Sequence, residues 1–73
     1  MLVKVKGAAT NAQAVKIRKL INLYSSKKHI HHYTNEIIYE LEAPDDMARC
    51  LVNELDAFRD VVEVCFNGKG GSN

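Results

Sequence analysis

KKHIHHYTNEIIYELE, residues Lys27 to Glu42, decides how the rest of the chain is read. A two-residue turn at Thr34-Asn35 makes it a hairpin with one definite register. Tyr33 then faces Glu36, His32 faces Ile37, His31 faces Ile38, Ile30 faces Tyr39 and His29 faces Glu40. Lys28 faces Leu41 and Lys27 faces Glu42. Directly opposed residues share a face of the sheet. One face then carries Ile30, His32, Ile37, Tyr39 and Leu41, an underside suited to helices. The other sets Lys27 against Glu42 and His29 against Glu40. A slip of one residue would scramble both faces, so the pattern itself argues for this register.

Working outward, Leu2 to Lys6 alternates apolar and charged residues and reads as a strand that Gly7 ends. Thr10-Asn-Ala-Gln13 has the spacing of a capping box, and a helix is expected from there to about Ser25. Ala14, Ile17, Leu20, Ile21 and Tyr24 recur at helical spacing as its buried face. After the hairpin, Pro44 with Asp45 and Asp46 suits the start of a second helix. Its expected stripe is Met47, Leu51, Leu55 and Phe58, with Ala48 and Val52 beside it. Val61 to Phe66 reads as the last strand. Residues 1–66 form one expected domain, and 67–73 (NGKGGSN) a flexible tail.

The resulting order, βαββαβ, resembles the ferredoxin-like superfold. With right-handed crossovers it implies an α+β fold. A four-stranded antiparallel sheet of order 4-1-3-2 would carry both helices on one face. Small ferredoxin-like regulatory domains, including ACT-type ones, share this outline and often pair sheet to sheet or edge to edge. The resemblance is architectural, and fold alone does not assign function.

Composition narrows the classes. The 73 residues are 47% hydrophobic and 26% charged, the balance of a globular domain. No apolar run approaches the roughly 20 residues that span a bilayer. Met1 leads directly into a short LVKVKG strand, not a long apolar leader. The expectation is a cytoplasmic protein with no membrane partner, and with reduced thiols at Cys50 and Cys65. The net charge of +1 conceals an asymmetry. Met1 to Thr34 holds seven basic residues and no acid, whereas Asn35 onward holds nine acids and three basic residues.

His29 and His31 share a face, but a closed zinc site needs four ligands. Cys65 would sit at the far edge of the sheet, about 14 Å away at ~4.8 Å per strand. No metal site and no cofactor are expected. No nucleophile–base spacing suggests catalysis. The tail's GKGG lacks a full phosphate-loop pattern. Acylphosphatases share the chain order but rely on an arginine in the loop where this chain has Gly7-Ala-Ala-Thr10, so that activity is not carried over. RNA-recognition modules stack bases on aromatics of the two central strands. Here those open-face positions carry Lys4, Lys6, Ile38, Glu40 and Glu42, and Tyr39 is expected to point inward.

What remains is a non-enzymatic protein-interaction or regulatory module, a homodimer or the binder of a protein partner, acting through its sheet face or its edge strand. The residues expected to carry it are Lys27, His29, His31, Tyr33, Ile38 and Val61. The alternative is RNA or DNA binding through phosphate contacts at a basic edge formed by Lys16, Arg18, Lys19, Lys27 and Lys28. Histidines on that edge also offer a pH response, since imidazole titrates near about 6.5 when unperturbed. Glu40 is the expected side-chain partner of His29.

Overall fold

A computed structural model describes residues 1–25 and 27–65. The strands are β1 (Leu2–Lys6), β2 (Lys27–His32), β3 (Glu36–Glu42) and β4 (Val62–Cys65), and the helices are α1 (Asn11–Tyr24) and α2 (Asp45–Leu55). They form one antiparallel sheet of order β2-β3-β1-β4, the expected 4-1-3-2 read from the other edge. The α+β, ferredoxin-like arrangement therefore stands. The expected tail, with Phe66, lies outside the described residues.

The hairpin has the expected register, from Lys27 opposite Glu42 to His32 opposite Ile37. Tyr33 N–H closes it by donating to Glu36 O at 2.9 Å. β1 pairs with β3 from Leu2 opposite Glu40 to Lys6 opposite Glu36. It pairs with β4 from Leu2 opposite Cys65 to Val5 opposite Val62. Val3 and Val5 turn to the helices and are buried. Lys4 and Lys6 turn to the open face, as the alternation of the sequence requires.

Both helix starts follow from local chemistry. Thr10 Oγ1 accepts from Gln13 N–H at 3.1 Å, and Gln13 Oε1 accepts from Thr10 N–H at 2.9 Å. This reciprocal pair satisfies two amides that a helix N-terminus leaves unpaired. α1 stops where Ser25 takes an extended conformation, its N–H and hydroxyl both donating to Ile21 O. Pro44 caps α2, and Asp45 and Asp46 occupy its first turn, where a carboxylate meets the positive end of the helix dipole.

The core joins Val3, Val5, Ile17, Ile21, Tyr39, Leu41, Leu51, Leu55, Val61 and Val62. None of its members comes from β2. Three expectations do not hold. Met47 is exposed, because α2 turns Ala48, Leu51 and Leu55 inward. The last strand starts one residue late, at Val62, because the chain first makes a 3-10 turn at Asp56–Phe58. Val61 N–H donates to Phe58 O at 2.9 Å and Val61 O accepts from Lys6 N–H at 2.8 Å. Those bonds hold Val61 against the core at 8% exposure, so it is not an apolar point on the open face.

Gly7 joins β1 to the hairpin turn. Its N–H donates to Asn35 O at 2.7 Å. A Cβ at this position would meet that same oxygen at 2.9 Å. Glycine is used here for close backbone approach.

Candidate interaction surface

β2 is exposed at all six residues. Its inner edge pairs with β3, and its outer edge meets no strand among the described residues. The sequence places Lys28, Ile30 and His32 on the helix side, yet all three remain exposed. Ile30 remains 41% exposed, and His32 is also exposed. The expected underside therefore divides. Tyr39 and Leu41 are buried, Ile37 is half-buried, and Ile30 and His32 remain exposed. A hint was present in the sequence: Ile30 is the one apolar residue of β2, with Lys28 and His32 as its same-face neighbours.

The hydrogen-bond pattern shows which backbone groups of β2 point outward. In an antiparallel ladder, the bonding groups of successive residues point to alternate sides. Tyr33 N–H points at Glu36 on β3, so His31, His29 and Lys27 point their groups inward as well. Lys28, Ile30 and His32 then direct N–H and C=O to the outer edge. β3 supplies an independent check, because Leu41 N–H donates the opposite way, to Met1 O at 2.8 Å. The odd residues of β3 thus bond toward β1 and the even ones toward β2.

On the open face, His31 Nε2 lies 3.2 Å from Glu40 Oε1, both side chains about half exposed. Glu40 stands opposite His29 in register, but its carboxylate reaches the diagonal His31. The expected His29–Glu40 side-chain pair is corrected accordingly. Sheet twist shortens one diagonal, and such diagonal neighbours lie within reach of long side chains. Tyr33 is exposed and Ile38 half-buried beside this pair. Lys4 Nζ lies 4.0 Å from Glu63 Oε1 on β4. Contacts this exposed contribute on the order of 0–1 kcal/mol each.

Lys16, Arg18 and Lys19 are all exposed on α1. Lys16 and Lys19 border a largely apolar groove of about 420 Å³, with Leu20, Leu23, Glu54, Ala57 and Phe58 as the other walls. That groove opens between α1 and the end of α2. Arg18 lies about 160° around the helix from Lys16 at ~100° per residue. Arg18 thus diverges from Lys16, whereas Lys16 and Lys19 share a groove with Glu54. A second cleft, of about 310 Å³, lies between the start of α1 and the hairpin turn, lined in part by Gly7, Asn11, His32 and Tyr33.

Cys50 is exposed on α2 and Cys65 half-buried on β4, both free thiols. Among the described residues, no group of three or more His, Cys, Asp or Glu is placed to hold a metal ion. No helix among them is long and apolar enough to cross a membrane. Comparisons with protein-family models, curated proteins and solved structures find no match for this chain.

Proposed function

We propose that this chain is a non-enzymatic interaction module that docks a protein strand, its own or a partner's, along the outer edge of β2. The observation that carries this reading is the exposure of the whole strand, together with the outward backbone groups of Lys28, Ile30 and His32. Each outward group bonds to water until a strand arrives, and strand addition satisfies the set at once. Lys27, His29, His31 and Tyr33 flank the docked strand on the open face, with Ile38 in the next row. Val61 has no part in it.

The test is sedimentation velocity over a salt series, on the wild-type chain and on Ile30→Pro, alone and with duplex DNA or single-stranded RNA. Self-association through the edge gives a dimer that Ile30→Pro dissolves. A monomer that shifts only with nucleic acid, and steeply less so as salt rises, transfers the function to phosphate binding by Arg18, Lys27 and Lys28 with Lys16 and Lys19.

A further inference from the structure

We infer that the strand β2 accepts is an acidic, alternating segment of another protein, with carboxylates on the open face and large apolar side chains on the helix side. This rests on the edge-docking reading above and names the chemistry of its occupant.

Two observations support it. The first is charge. The six residues of β2 are two lysines, three histidines and one isoleucine, with no acid among them. Lysines on an edge ordinarily discourage pairing, but they do so against edges that are neutral or basic. Opposite an acidic strand the same charges attract. The second is the partner that β2 already has. Along its inner edge lies β3, EIIYELE, with Glu42 opposite Lys27, Glu40 opposite His29 and Tyr39 opposite Ile30. The outer edge presents the same side chains on the same two faces, since a strand's side chains are common to both its edges. A segment with the pattern of β3 therefore meets equivalent neighbours there. Its carboxylates would sit beside Lys27 and the two open-face histidines, and its apolar residues would cover the exposed part of Ile30.

A second copy of this chain fits the edge poorly. In the symmetric antiparallel register centred on Ile30, Lys28 falls opposite His32 of the other copy and His29 opposite its His31. That register brings no opposite charges together, since β2 has no acid.

The test uses a blocked peptide of sequence EIIYELE and a second in which its three glutamates are lysines. Each is titrated into the labelled protein and followed by amide chemical shifts. The expected result is perturbation centred on Lys28, Ile30 and His32 by the acidic peptide, weakened several-fold by the lysine exchange, because a lysine then replaces the glutamate facing Lys27 and turns one exposed attraction into a repulsion. Binding persists in Ile30→Val, which keeps the outward N–H, and vanishes in Ile30→Pro, which removes it. Equal binding of both peptides, abolished by Ile30→Pro, overturns the acidic preference and leaves edge docking standing. The same division follows if neither peptide binds while the free protein forms a dimer that Ile30→Pro dissolves. Perturbation centred on β1 means that the peptide has replaced β3, and it overturns the inference. Neither peptide binding to a protein that is monomeric with or without the proline overturns the inference and the edge reading together.

Discussion

Adjacent residues of β2 should respond oppositely to proline. At Ile30 the N–H points to the outer edge, so a proline there removes no ladder bond, and at His31 the N–H points at Ile38 on β3. Proline is tolerated on edge strands where the missing N–H faced solvent, and excluded where it was paired. Alanine at each site separates the side chain from the backbone. Ile30→Ala loses part of a half-covered isoleucine, on the order of 1 kcal/mol. His31→Ala loses an exposed contact with Glu40, about 0–1 kcal/mol. Exchanging alanine for proline at residue 30 should then cost only the shift of φ that the ring imposes on an edge strand, well below the step at residue 31. At residue 31 it orphans a half-buried carbonyl, about 1–3 kcal/mol, before any clash between the ring and β3 is counted. The margin of a chain this size is roughly 4–11 kcal/mol, so the difference is measurable. Urea denaturation of the four variants is the assay. With a slope near ~1 kcal/mol/M, the proline step at residue 31 should lower the midpoint by about 1 M or more, and the step at residue 30 should not. Equal proline steps at the two positions would refute the assignment of the outer edge and, with it, the docking site.

Three further outcomes follow from the same structure. Gly7→Ala drives a methyl against Asn35 O, 2.9 Å from the new Cβ; a loss of about 1–3 kcal/mol by chemical denaturation is expected, and an unchanged midpoint would mean the turn is free to move. Leu51→Ala, fully buried, should cost about 2–5 kcal/mol, whereas exposed Met47→Ala on the same helix should stay within roughly 0.5 kcal/mol. Thermal melts of the pair that give similar losses would contradict the orientation of α2. Thr10→Ala removes the acceptor for Gln13 N–H and should cost about 1 kcal/mol, with faster hydrogen exchange at Gln13; unchanged protection there would contradict the capping box.

Much of this protein was legible before any tertiary structure. The hairpin register follows from alternation alone, because a one-residue slip would have put Tyr39 and Leu41 in water with their acidic neighbours buried. The capping box, the proline start of α2 and the element order are local features, set within a few residues.

Three matters were settled only by contacts distant in sequence. Periodicity puts Ile30 and Tyr39 on the same face, yet it does not say how far a helix layer extends. α1 packs against α2 as well as against the sheet, and that packing gathers Ile17 and Ile21 over Val3, Val5, Tyr39 and Leu41 while β2 stays outside. Val61, expected among the interaction residues, is instead held at the sheet's end after the 3-10 turn by bonds to Phe58 and Lys6. Finally, register set Glu40 opposite His29, but strand twist brought its carboxylate to His31. Pattern within a segment determines which residues share a face. Whether that face is covered depends on how the layers meet, and here the core takes no residue from β2 and leaves the protein its one fully exposed strand among the described residues.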